Sequence, residues 1–271
     1  MQLVGNLRMM SKYIKDGVPQ YQLPIHDVLT PLESVDMNAL IGQHIRIEYE
    51  GYFNSILSGE KMKKSFGEGL TYKEFMESPI ASPSIMKPEL SEIHNGIALR
   101  DYAWEVKHHL QPHYVYIALT SNYKVGVTRS TNVPYRWIDQ GATKATILAE
   151  VPYRQLAGLI EVSLKKHISD KTAWQRMLRG IVEVDQTILE VRDEMADLIS
   201  QEHRAYISSS REVFEITYPV TKYPEKINSL KLEKEKVIEQ KLIGIKGQYL
   251  IFENGVMNVR SQSGARIKFD Y

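Results

Sequence analysis

The feature that most limits the fold is a change of hydrophobic period inside one stretch, Tyr114 to Lys166. Val115, Ile117 and Leu119 alternate with Tyr114, Tyr116 and Ala118, and Thr120-Ser121-Asn122 then turns the chain. Tyr123, Val125 and Val127 alternate in the same way with Lys124, Gly126 and Thr128. Residues two apart share a sheet face, so this is a hairpin with Tyr116, Lys124 and Gly126 on one side. Thr131 or Asn132 caps a following helix with Pro134 in its first turn, and Gly141 closes it. Thr146 to Val151 reads as a third strand. Leu156, Ile160 and Leu164, with Ala157 and Ile168 beside them, then recur at helical spacing. The order is strand, strand, helix, strand, helix, and the fold class it predicts is α+β.

The flanking regions are strand-rich. Residues 1–25 predict a hairpin turning at Lys15-Asp16-Gly17, and residues 26–42 a short helical turn capped by Asp36 and ended by Gly42. Ile45, Ile47 and Tyr49 alternate as a half-buried strand. Residues 53–110 are poorly patterned and read as loops, with a short helix near Tyr72 to Glu77 and a second over Leu99 to Leu110 on the stripe Tyr102, Val106, Leu110. Residues 172–205 read as continuing helix through Ile181, Ile188, Val191, Met195 and Leu198. Strand signals return at Val213 to Tyr218 and Lys241 to Phe252. Turns follow at Asn254-Gly255 and Ser263-Gly264. The chain thus divides into an N-terminal region, 1–112, a core, 113–180, and an acidic helix with a C-terminal β segment, 181–271. The two outer segments are expected to pair into a small sheet or barrel.

Composition narrows the function classes. The net charge is +1 and there is no cysteine, which removes disulfides, thiolate metal sites and a cysteine nucleophile. No run approaches the roughly 18 apolar residues of a membrane span. A cytoplasmic protein without a membrane partner is the expectation. Charge is unevenly placed, however. Residues 107–179 hold eleven Lys/Arg against four Asp/Glu, and residues 180–206 hold two against seven. The basic stretch is either a surface for a polyanion or one half of a pair neutralised by the acidic helix.

Four residues form the candidate site. Glu161 emerges from a helix of small and apolar residues. It is either a single-carboxylate ligand for a hard cation such as Mg2+ or an ordinary helical glutamate paired with Lys165. Arg136 either offers its fork to a phosphate or makes a surface ion pair. Lys124 is a lone strand cation, and Tyr116 a sheet aromatic. Taken singly, each is better explained by the plainer role. His108, His109, His113 and His167 complete no metal-ligand spacing, and no GxSxG, GxGxxG or P-loop is present.

Their order changes the balance. YVYIAL followed by YKVGVTR, then an arginine in the first helix and a glutamate in the second, resembles the GIY-YIG nuclease core over about residues 113–170. Tyr116 falls at the tyrosine of the first motif, Lys124-Val125-Gly126 at the second motif with Lys where the best-known members have Tyr, and Arg136 and Glu161 at the arginine and the metal-binding glutamate. PHYVYIA, KVGVTR, RWIDQGA, HISDKT, YPV and GIKGQYLIFENG are similar to a bacterial family catalogued only as a domain of unknown function. That resemblance implies two cysteine pairs upstream of the core, forming a zinc knuckle. Here the places are Ser55 and Ser58, then Thr71 and Glu74, so no zinc is expected and residues 53–85 must be ordered otherwise or stay mobile.

The expectation is a phosphodiesterase or nuclease acting on DNA or RNA with one Mg2+ on Glu161 and with Tyr116, Lys124 and Arg136 as further catalytic residues. Two alternatives remain: a non-catalytic nucleic-acid-binding module on the same fold, and a structural or partner-binding protein.

Overall fold

A computed structural model describes residues 1–271. Its strands are β1 (Gln2–Leu7), β2 (Ser11–Lys15), β3 (Val18–Asp27), β4 (Thr30–Asp36), β5 (His44–Asn54), β6 (Lys61–Met62), β7 (His113–Leu119), β8 (Tyr123–Arg129), β9 (Lys144–Val151), β10 (Phe214–Glu215), β11 (Val237–Lys246), β12 (Tyr249–Phe252), β13 (Gly255–Asn258) and β14 (Ala265–Asp270). Its helices are α1 (Tyr72–Glu77), α2 (Pro83–Met86), α3 (Tyr102–His109), α4 (Tyr135–Asp139), α5 (Arg154–Leu164), α6 (Trp174–Leu178), α7 (Ile188–Asp197) and α8 (Leu232–Glu235). The chain forms two compact units, Met1–Phe75 with Thr217–Tyr271, and Met76–Ile216. These divisions fall at other points than the three sequence regions: residues 76–112 and 181–216 belong with the core.

The first unit is one open, curled sheet of ten strands with the path β13-β12-β11-β5-β14-β1-β3-β2, β4 pairing β3 and β6 pairing β5. The outer segments do pair, as expected, but into a larger sheet than the small one predicted. Asp16 and Gly17 both have positive φ, 52° and 75°, the geometry that joins β2 to β3 in a two-residue hairpin. Period-2 burial holds where it was predicted, with Ile45, Ile47 and Tyr49 of β5 in the core, and Ile267 and Phe269 of β14 follow the same period. Within 26–42, residues 30–36 form strand β4, which the sequence did not predict and on which only Val35 is buried, and the predicted turn follows it. Asp36 still caps that turn, accepting from the amides of Asn38 and Ala39 at 3.0 and 3.3 Å.

Residues 53–75 are ordered by one carboxylate. Ser55 Oγ donates to Glu74 at 2.6 Å and accepts from the amides of Leu57 and Ser58 at 3.0 and 3.1 Å. Glu74 accepts from the Thr71 amide at 2.8 Å while Thr71 Oγ1 accepts from the Glu74 amide at 3.2 Å, a capping box at the start of α1. Burial alone would raise the Glu74 carboxyl. The hydrogen bonds from Ser55, Ser58 and Thr71 outweigh it and hold the group below its ordinary range. Ser55, Ser58, Thr71 and Glu74 therefore meet in a knot of hydroxyls and one carboxylate.

In the second unit β10-β9-β7-β8 form an antiparallel sheet. Val115, Ile117 and Val125 meet Leu156, Ile160 and Leu164 of α5 and Ile188, Val191 and Met195 of α7 in its core. The ladder between β7 and β9 shifts register between Val115 and Tyr116, which re-aims the tyrosine's face of the strand. Two helix expectations need correction. In α3 the buried residues are Glu105 and His109, and the predicted stripe residue Tyr102 is 58% exposed, because Glu105 turns inward to accept from the amides of Leu99 and Arg100 at 3.0 and 2.8 Å. The continuous helix predicted over 172–205 is broken into α6, α7 and a 3-10 turn over Gln201–Tyr206. Gly180 takes positive φ, and Thr187 with Glu190 starts α7 afresh with a capping box.

Candidate functional site

On the face of β7 and β8 away from that core lies a cavity of about 550 Å³, formed entirely by residues of the second unit. Tyr116, Lys124, Arg136 and Glu161 all line it. The strand pairing that brings them there is plain: Tyr116 stands opposite Gly126 and Ala118 opposite Lys124. A Cβ on Gly126 would sit 2.5 Å from Tyr116 Oη, so the glycine of YKVGVTR is what lets the tyrosine lie flat across β8. Gly158 has a similar role on α5. A Cβ there would come within 2.3 Å of the Glu89 amide nitrogen, so only glycine admits the chain at Pro88–Leu90 against the helix.

Tyr116 is fully buried. The Gln140 amide donates to its Oη at 2.9 Å, and the amide oxygen accepts from Arg136 Nε and Nη2 at 3.1 and 3.2 Å. A guanidinium has only donors, so the oxygen must face it. Burial raises the Tyr116 phenol, and Arg136 opposes that rise. Tyr116, Gln140 and Arg136 thus form one hydrogen-bonded row along the floor.

Lys124 is 5% exposed, so it is not the solvated strand lysine that a plain alternation predicts. Its Nζ donates to Thr172 Oγ1 at 3.5 Å. Burial first, and Arg136 second, bring its ammonium down to about 8. Glu161 is 8% exposed. Burial raises its carboxyl, and Lys165 opposes the rise from 3.4 Å away. Lys165 also reaches Asp170 at 3.1 Å. Burial would lower the Lys165 ammonium, but the two carboxylates together raise it.

Several lining residues were not singled out from the sequence. Arg154 donates to the carbonyls of Ser84 and Ile85, both at 2.9 Å, and burial lowers its guanidinium to about 10. Arg129 donates to His108 Nδ1 at 2.6 Å, which keeps that ring neutral with its proton on Nε2. Burial, then Arg129, lower His108 accordingly. Asp170 and Lys171 arrive because Ser169 pairs beside β8, its carbonyl accepting from the Val125 amide at 2.8 Å. Six cations line the pocket, Lys124, Arg129, Arg136, Arg154, Lys165 and Lys171, against two carboxylates, Glu161 and Asp170. No residue of the acidic stretch 180–206 lines it, although Glu183 pairs with Arg176 at 2.7 Å nearby in sequence.

For a divalent cation the donor set is small. Magnesium takes one or two carboxylates and keeps several waters. Glu161 offers one carboxylate, with Asp170 across Lys165 from it, and no three His, Cys, Asp or Glu converge anywhere in the chain. A hydrated hard cation would find one carboxylate here, Glu161, whose present partner is the Lys165 ammonium at 3.4 Å.

The model of the family described as "Protein of unknown function (DUF2797)" matches residues 42–267. The chain belongs to this family. The match runs through the whole pocket unit and from β5 to β14 in the sheet unit. Membership carries no activity with it, since the family is described only as of unknown function. No curated protein and no solved structure matches the chain. No helix is long and apolar enough to cross a membrane.

Proposed function

We propose that the pocket is the phosphodiester site of a GIY-YIG-like nuclease that acts on DNA or RNA. The observation that carries this reading is the meeting of Tyr116, Lys124, Arg136 and Glu161 in one cationic cavity on the sheet face that the ββαβα order predicts. Arg136 and Arg154 bind phosphoryl oxygens and stabilise the charge that grows on them. Lys124 stands where the resembled family has a second tyrosine. With its ammonium at about 8 it is partly neutral in mildly alkaline solution and accepts the proton of an attacking water. Tyr116, held by Gln140 beside Arg136, orients that water or the phosphate. Glu161 would hold the divalent cation, which when bound stabilises the leaving oxygen.

Cleavage of a panel of labelled DNA and RNA with Mg2+ tests this, with Glu161→Ala as the control. Metal-dependent cleavage should appear in the wild type and fall by at least a hundredfold in the variant, on the order expected when a group of this kind is removed. Cleavage that persists unchanged in Glu161→Ala would falsify the mechanism. One observation favours a second reading, a non-catalytic binder on the same fold: the Glu161 carboxylate is already neutralised by Lys165. In that case the chain binds nucleic acid with a steep salt dependence and cleaves none of it.

A further inference from the structure

One wall of the pocket has no task in binding a phosphodiester. Ile80, Ile85, Met86, Pro88 and Trp104 face the cations from the segment that precedes the core. Phosphate and sugar need donors and charge, not an apolar surface. Yet Met86 is 82% exposed and Ile80 37%, so this chain leaves large apolar groups open at the mouth of a cationic cavity.

The wall is also fixed in place. Arg154, which lines the same cavity, donates to the carbonyls of Ser84 and Ile85, and Gly158 lets the chain at Pro88–Leu90 touch α5. Trp104 is braced by His108, ring centroids 4.2 Å apart, and by His109 at 5.3 Å. His108 is in turn held by Arg129. The apolar wall and the cationic floor are therefore one rigid construction.

From this juxtaposition we infer that the pocket takes an unpaired nucleotide of a nucleic-acid strand. The base lies on the wall of Trp104, Ile80 and Met86, and the phosphate lies among Arg129, Arg136 and Arg154. This rests on the phosphodiester reading and narrows it. The substrate is single-stranded nucleic acid or a frayed strand end, not intact duplex. A duplex keeps the faces of its bases stacked inside and shows only their edges in the grooves, so it has no base face to lay against the wall. A cavity of about 550 Å³ is of a size for a nucleotide-sized ligand. Base–aromatic stacking is indifferent to sequence, because every base has a π-face, so little sequence preference is expected.

The test measures binding of the full chain to a short labelled single strand, to the blunt duplex of the same sequence and to 5′-AMP, in EDTA so that nothing is cleaved. The single strand should bind at least about tenfold more tightly than the duplex. Trp104→Ala and Met86→Ser should each weaken single-strand binding by about five- to tenfold and leave duplex binding unchanged, and Trp104→Phe should retain most of the affinity. Met86 is so exposed that Met86→Ser does not threaten the fold, which keeps the test decisive if Trp104→Ala fails to fold. Equal affinity for duplex, or single-strand binding indifferent to both wall variants, overturns the inference and leaves the phosphodiester reading standing. Binding of 5′-AMP with no binding of either strand form, or no binding at all, overturns both.

Discussion

In the sheet unit several buried amide side chains close polar networks. Asn6 Nδ2 donates to Asn54 Oδ1 and to the Gly264 carbonyl at 3.0 and 2.9 Å, and Asn54 donates onward to the Gly59 carbonyl at 2.9 Å. Gln248 acts as a missing strand for Met10, accepting from its amide at 2.9 Å and donating to its carbonyl at 3.0 Å. Gln262 accepts from the Leu232 amide at 3.1 Å. The pocket unit is built the other way. Glu89 Oε2, Glu105 Oε2, His94 Nδ1, His109 Nε2, His113 Nε2 and Trp137 Nε1 are buried without a hydrogen-bond partner. An unpartnered buried polar atom costs about 1–3 kcal/mol. The pocket unit therefore carries more of this electrostatic cost than the sheet unit, and one of these groups, His109, lines the cavity.

Acid should separate the two units most. Burial lowers His109 to about 3 and His113 to about 4. The unfolded chain takes up these protons near pH 6.5 and the folded unit does not. Stability is thus lost as pH falls from about 6.5 toward 4 and 3. Trp104, Trp137 and Trp174 all lie in the pocket unit, so tryptophan fluorescence reports on it alone. On acidification, fluorescence and hydrogen exchange of 76–216 should change at a higher pH than exchange of the sheet unit. Simultaneous loss in both would break the comparison.

The next effect is steric. Gly158→Val drives a side chain into the backbone at Glu89, and overpacking of this kind costs about 1–3 kcal/mol or more. Thermal unfolding followed by tryptophan fluorescence should show the loss, and nucleic-acid binding should fall with it. In the sheet unit, Gln248→Leu strands the Met10 amide and carbonyl and should cost about 2–3 kcal/mol by denaturant titration, with the pocket's binding unaffected. The smallest effect has the opposite sign. Lys124→Met removes a buried charge and should stabilise the pocket unit by about 1 kcal/mol while abolishing activity. The advantage is full below about pH 8 and shrinks toward pH 10.5, because over that window the folded wild type has already shed the proton that its unfolded chain still holds. A destabilised Lys124→Met would mean that the lysine is structural.

Strict alternation made β5, β7 and β8 legible, along with the shared face of Tyr116, Lys124 and Gly126, and helical spacing did the same for the α5 stripe. The same alternation misled on Lys124, since it predicts an open polar face and cannot see that Ser169 to Thr172 return beside it, nor that residues 79–109 wall the same cavity. That wall was illegible because it consists of short helical turns over Pro79–Ala81, Pro83–Met86, Pro88–Leu90 and Ile93–Asn95, too brief for any period. Arg154 was overlooked for the same reason, as its partners are backbone carbonyls of that wall. On α3, Glu105 and His109 took the buried side from Tyr102 because they serve polar neighbours, and hydrophobic spacing carries no sign of that.

The place of β14 in its sheet sets a schedule for biosynthesis. It lies between β5 and β1, pairing with both. While the chain emerges from the ribosome, those two N-terminal strands have open edges until every residue of the pocket unit has been translated. Nascent chains should then expose a long unpaired β edge for most of their synthesis. The pocket unit, contiguous in sequence, is free to fold in the meantime, and dependence on chaperones should trace to the sheet.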